Sequence, residues 1–139
     1  MIEITHKSIS PEEVVNKTKG DSSGCVVTYV GLIRKHSQGQ LVLAVEYKDP
    51  GKKAEDILRE IAGIAKRRWP INNISISHRV GKLGVGEINL VVAVASAHRR
   101  EGFAACQYII DQFKQKLPTQ KRETYQDGNR VENRNTDAV

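Results

Sequence analysis

Residues 88–96, INLVVAVAS, form a strand-like run that ends at a small-residue turn and passes at once into an amphipathic helical pattern. A strand that feeds such a helix directly calls for a sheet with helices packed on it. The turn delivers His98, Arg99 and Arg100 to the helix start, Lys114 lies near the helix end, Pro118 stops it, and Lys121 and Arg122 follow. Cationic groups therefore stand at both ends of one helix and just beyond it. If the fold brings them together with Arg34, they make a pocket for a phosphate or carboxylate.

The rest of the chain is punctuated in the same way. Residues 2–6 alternate apolar and polar, as a short strand does. Ser10, Pro11 and Glu13 make a helix start, with a cap, a first-turn proline and a capping-box acid. That helix runs to Lys19 and ends at Gly20. Gly24 to Ile33 is β-branched and apolar and reads as a largely buried strand. A polar loop separates it from a second strand, Leu41 to Tyr47, so residues 24–47 read as a long hairpin. Ala54, Ile57, Leu58, Ile61, Ala62, Ala65 and Trp69 recur at helical spacing up to Pro70. Ile74, Ile76, His78 and Val80 alternate with polar residues, which predicts a half-buried strand. Gly81, Gly84 and Gly86 then form a turn before the return strand at 87–96. Phe103, Cys106, Ile110, Phe113 and Leu117 predict the apolar stripe of the third helix. Residues 119–139 read as a polar tail with a turn at Asp127-Gly128. This order predicts a single α+β domain over 1–139, mostly antiparallel in its sheet, with helices packed on it.

A chain of 139 residues buries a real core without metal or disulfide staples. Its net charge of +6 suits nucleic acid, membrane surfaces, acidic proteins and phosphorylated small molecules alike. Aromatic residues are only 5% and no RNA- or DNA-binding motif is present, so no nucleic-acid partner is expected. No apolar run approaches the roughly 20 residues needed to cross a bilayer. The first residues lack the layout of a signal peptide. The expectation is a soluble cytoplasmic protein with no membrane partner. Cys25 and Cys106 have no metal-ligand spacing and read as small apolar residues.

Lys114 follows Phe113 and lies four residues past Ile110, at the edge of the helix stripe. Two readings stand. A partly buried lysine stem favours the neutral amine, a nucleophile or proton acceptor. A snorkelling lysine near a helix C-terminus answers the helix dipole and nothing more. His98 and Arg99 open a helix, where backbone N–H groups and a guanidinium together bind anions. Arg34 leaves a buried strand into a loop, a usual place for a binding residue. Lys121 and Arg122, taken alone, read as a solvated pair. His78 reads as a core or edge histidine. The three glycines after it precede a strand and not a helix, so they are no phosphate loop. No metal site, Ser-His-Asp set or paired-carboxylate signature is present.

Several segments agree with one family. They are VVTYVGLIRKH at 26–36, LAVEY at 43–47, RWP at 68–70, HRVGKLGVGE at 78–87, VASAHR at 94–99, FAAC at 103–106, IIDQFK at 109–114 and PTQKRE at 118–123. In this order the chain resembles the catalytic (large) subunit of molybdopterin synthase, the MoaE family.

The resemblance implies an α/β hammerhead fold that dimerises, each end of the dimer taking a small ubiquitin-like sulfur carrier with a C-terminal Gly-Gly. It implies a sulfurtransferase that moves sulfur from the carrier's thiocarboxylate to cyclic pyranopterin monophosphate, forming the dithiolene of molybdopterin. No permanently bound cofactor is implied, because the sulfur arrives on the carrier. By position, Lys114 and Lys121 match the functional lysines, and Arg122 and Glu123 belong to the segment of the second. Leu32, Ile33 and Arg34 match a substrate-contact segment, His98 and Arg99 the anion-binding pair, and Arg134 a tail arginine. The chain departs from the family at Gln120, where a tryptophan is usual, after Arg130, where an aromatic is missing, and at 46–50, EYKDP, in place of Glu-Tyr-Glu-x-Tyr. The lost tryptophan motivates a second expectation, a non-catalytic module that binds carrier or phosphate ligand on the same fold.

Overall fold

The computed structural model describes residues 1–37, 39–117, 120–125 and 130–134, with only the backbone described at 120 and 130–134. In chain order the elements are β1 (Ile2–Thr5), α1 (Pro11–Thr18), β2 (Cys25–Leu32), β3 (His36–Ser37), β4 (Gln40–Tyr47), α2 (Lys52–Arg68), β5 (Ile71–Arg79), β6 (Gly81–Gly84), β7 (Ile88–Ser96), α3 (Arg99–Lys116), β8 (Gln120–Tyr125) and β9 (Arg130–Arg134). The α+β class follows as expected. The strands form two sheets. One has the order β1-β5-β7-β2, and the other the order β3-β4-β8-β9 with β6 also paired to β4. Among the described residues every pairing is antiparallel except β1 with β5.

The long hairpin expected over 24–47 does not form. β2 pairs with β7 from Cys25↔Ser96 to Leu32↔Ile88, whereas β4 pairs with β3, β6 and β8 in the second sheet. The register shifts between Gly31 and Leu32. Just beyond, Ile33 is tied on both sides to the turn before β7, its N–H to Glu87 O at 3.0 Å and its carbonyl to Gly86 N at 2.9 Å. Such an irregularity bends a strand away from its neighbour, and the chain leaves the first sheet there. The glycine-containing segment read as a turn is β6, because Leu83, 1% exposed, packs into the second core opposite Val45.

The first sheet carries the main core. α2 and α3 lie on one face, where Leu58, Ile61, Ile76, Ile109 and Phe113 are almost fully buried. Each such side chain contributes about 1.5–3 kcal/mol of burial. α1 and the segment before it cover the other face, with Val14 of the helix and Ile9 ahead of its cap against Val91 and Ala93. Ser10 caps α1 by accepting from the Glu13 N–H at 3.3 Å, with Pro11 in the first turn. Cover on both faces is why β5 is buried from Ile74 through His78 and not only on alternate residues.

The stripe of α3 also differs from expectation. Gly102, Ala105, Cys106, Ile109 and Phe113 face inward, while Phe103 is 61% exposed. Small residues lead because the helix start lies close on the sheet. A Cβ at Gly102 would come within 2.8 Å of Ser96 Oγ and 3.0 Å of Val27 Cγ2. The second sheet has its own core, of Ile33, Val42, Val45, Tyr47, Val80, Leu83 and Tyr125. The polar tail is also ordered into β8 and β9, which pair from Gln120↔Arg134 to Thr124↔Arg130. The turn expected at Asp127-Gly128 lies outside the described residues.

Candidate active site

A cavity of about 300 Å³ opens where the end of β2, the strands β4 and β8 and the last turns of α3 meet. Leu32, Ile33 and Arg34 line it from the chain leaving β2, Val45 and Tyr47 from β4, Lys121 and Glu123 from β8, and Lys114 from α3. The anchored Ile33 is buried, whereas Leu32 and Arg34 on either side are exposed at the mouth. The fold thus gathers Arg34, Lys114 and Lys121 in one place.

β8 supplies its charges by the alternation of a strand. Lys121, Glu123 and Tyr125 point inward and are buried, while Arg122 and Thr124 alternate with them. The Lys121 ammonium pairs with Glu123 Oε1 at 3.1 Å, with side chains 9% and 3% exposed. Two reciprocal charges so deeply set hold each other in place. Glu123 Oε2 is buried with no hydrogen-bond partner among the described residues. Arg122 does not share this cavity. It pairs across strands with Glu46, Nη1 to Oε1 at 3.9 Å, and with Glu46 it lines a separate shallow depression. The sequence grouped Lys121 with Arg122 as neighbours, but period-2 alternation separates them.

Lys114 is half-buried one residue beyond the buried Phe113. His78 lies behind, fully buried, with its ring edge-on to Phe113 at 5.0 Å and to Tyr47 at 5.4 Å. Its Nδ1 is 2.9 Å from Asn89 O. Burial above all pushes the His78 pKa down to about 4, and the nearby Lys114 charge adds to the effect. The imidazole is therefore neutral near pH 7. The core reading of His78 holds, although its Nε2 has no hydrogen-bond partner among the described residues. Tyr47 and Asn89 also line the cavity, and neither was singled out from the sequence. Tyr47 was reachable from the phase of Val45 and Tyr47 on β4. Asn89, the one amide in an apolar run, was the available signal for the other.

His98 and Arg99 are not brought to this cavity. They lie with Arg100, Gly24, Cys25 and Ala97 in a separate concavity at the start of α3. Arg99 and Lys114 stand at opposite ends of one helix, about 22 Å apart at 1.5 Å per residue. Rigid helical rise keeps these two sets of cations apart within one chain. The Arg134 backbone pairs with Gln120, but both side chains lie outside what is described. Among the described residues no group of three or more His, Cys, Asp or Glu could hold a metal ion. Among the described residues no helix is long and apolar enough to cross a membrane. Cys106 is buried, which pushes its thiol up to about 11, and Cys25 is half-buried.

A family model described as "MoaE protein" matches residues 4–116. The chain belongs to the MoaE family. It is 36% identical over 128 residues to the molybdopterin synthase catalytic subunit of Thermoplasma volcanium, covering 92% of this chain and 93% of that one. It superposes on the crystal structure of molybdopterin synthase from Staphylococcus aureus with a TM-score of 0.89 at 30% identity, covering 94% and 95% of the two chains. It shares its fold with a chain in the complex of subunits 1 and 2 of the molybdopterin-converting factor from Helicobacter pylori, TM-score 0.72 at 15% identity, covering 94% and 88%. Membership of the MoaE family places the chain among the enzymes of molybdenum cofactor biosynthesis.

Proposed function

We propose that the cavity bounded by Arg34, Lys114 and Lys121 is where sulfur passes from the C-terminal thiocarboxylate of a small ubiquitin-like carrier to cyclic pyranopterin monophosphate. The observation that carries this reading is the gathering of three cations around one cavity, one of them buried against Glu123. Both ligands are anionic, and charge-assisted hydrogen bonds to carboxylate and phosphate are the strong ones. The carrier's extended Gly-Gly end enters beside Lys114 and Lys121. Lys114 acts on the carrier terminus, while Lys121 and Arg34 hold negative charge in place. The protein needs no permanently bound cofactor, since the carrier brings the sulfur, and its setting is the cytoplasm.

His98 and Arg99 enter this scheme through a homodimer. Their distance from Lys114 leaves them no role in the cavity of their own chain, but a second copy can present the start of its α3 to it. The edge of β2 not paired to β7 has no strand partner among the described residues, and an eight-residue edge calls for cover. Two copies and two carriers then make a heterotetramer.

The experiment is carrier-dependent conversion of cyclic pyranopterin monophosphate to molybdopterin by the purified protein with thiocarboxylated carrier. Product formation that disappears when the carrier's terminal Gly-Gly is deleted supports the reading. Carrier binding without product would leave a non-catalytic binding module instead.

A further inference from the structure

The Tyr47 hydroxyl accepts a hydrogen bond from the Asn89 side-chain amide, Nδ2 to Oη at 3.0 Å. The Asn89 main-chain carbonyl lies 2.9 Å from Nδ1 of His78, whose ring stands edge-on to Tyr47 at 78°. Asn89 therefore holds Tyr47 directly through its amide and indirectly through His78. Tyr47 in turn is the cross-strand partner of Lys121, so the two side chains share a face and stand close together. On the other side, His78 packs on Phe113, the residue before Lys114. Tyr47, Asn89, Lys114 and Lys121 all line the same cavity. Room for the amide comes from Gly31, where a Cβ would stand 2.8 Å from Asn89 Oδ1.

A phenol whose oxygen accepts from an amide N–H has its own proton turned away from that amide. We infer that Asn89 is a positioning residue that aims the Tyr47 O–H at the anionic group held by Lys121, and that Tyr47 is the side chain that touches that group. The inference rests on reading the cavity as an anion site. It explains why an amide interrupts the apolar run of β7 at the cavity wall, and why the β2 residue that the amide crowds is glycine. Lys121 supplies charge, while Tyr47 supplies a directed donor beside it.

The test compares wild type with Asn89→Leu, Asn89→Asp, Tyr47→Phe and the Asn89→Leu/Tyr47→Phe double variant. Steady-state turnover with thiocarboxylated carrier and calorimetric binding of inorganic phosphate are both measured. Each single change is expected to lower kcat/KM and phosphate affinity roughly 10-fold, the scale of one hydrogen bond to a charged group. The double variant should be no worse than Tyr47→Phe, because both changes remove one device. Asn89→Asp keeps the shape but has no N–H to donate, so it should fall as far as Asn89→Leu. Wild-type values in Asn89→Asp would overturn the inference, and so would losses that multiply in the double variant. A lowered melting temperature with kcat/KM and phosphate affinity unchanged would make Asn89 merely structural. If wild type gives no product, the sulfur-transfer reading falls and phosphate binding alone decides. Weaker binding in both single variants then upholds the positioning role, and unchanged binding removes it.

Discussion

Lys121 Nζ and Glu123 Oε1 stand 3.1 Å apart on one face of β8, both side chains all but closed to solvent. A buried pair is weak evidence of net stabilisation, but removing one partner strands the other charge. Glu123→Gln should therefore destabilise the protein by about 3 kcal/mol, read as a lower urea midpoint with an unchanged slope. The double change Lys121→Met/Glu123→Leu should recover most of that loss and remain inactive. A loss below about 1 kcal/mol in Glu123→Gln would mean that the pair is solvated like a surface bridge.

Lys114 takes the catalytic role in the proposed reaction. Lys114→Ala should cut turnover by at least about 100-fold, the lower end of what a positioned acid, base or nucleophile contributes, with the melting temperature held within a few degrees. Lys114→Arg should fail as well, since a guanidinium stays protonated and cannot serve as nucleophile or base. Normal turnover in either variant would return Lys114 to the snorkelling reading.

The sequence carried the elements better than their partners. The unit from Ile88 to Leu117 was legible because a strand, a small-residue turn and a helix are local patterns. The partner of β2 was not, since nothing local distinguishes pairing with β4 from pairing with β7. The break at Gly31, which decides it, depends on the distant Glu87 and Gly86. β8 was hidden for a different reason. Its inward positions are Lys121 and Glu123, so the usual alternation of apolar and polar is inverted by a buried ion pair. A strand that lines the cavity thus reads as a polar tail. Lys114 and Lys121 stood out as cations at and beyond the end of one helix, and the family resemblance added only their expected roles, whereas Tyr47 and Asn89 emerged only once β4 and β7 were seen to meet at the cavity.

His78 gives the fold a pH dependence. Its pKa is about 4 in the folded protein, chiefly because burial disfavours the charged ring. An unfolded histidine titrates near 6.5. Between these values the unfolded state binds more protons, so acid favours unfolding. The contribution of neutral His78 is complete above about pH 6.5 and is lost as pH falls towards about 4, by on the order of 3 kcal/mol. Urea midpoints measured from pH 7 to 4 should fall less steeply in His78→Leu than in wild type. Parallel curves would show that His78 does not set the acid limit.

The proposed homodimer makes a prediction that no single chain can satisfy. Arg34 lies at the cavity mouth and Arg99 in the other concavity, at the far end of α3 from Lys114. If each site takes Arg34 from one copy and Arg99 from the other, Arg34→Ala and Arg99→Ala each damage both sites of a homodimer. Each should weaken pterin binding roughly 10- to 150-fold, the cost of one charge-assisted contact. Unfolding and refolding the two variants together gives mixed dimers. In a mixed dimer one site carries both changes and the other carries neither. With random assortment into two-fold dimers, about a quarter of all sites are then intact, so about a quarter of wild-type activity should return when two nearly inactive proteins are combined. A site built within one chain permits no such recovery, because every chain in the mixture carries a damaged site. Activity that stays at the level of the separate variants, with mixed dimers verified by mass spectrometry, would therefore exclude sharing of the site between copies.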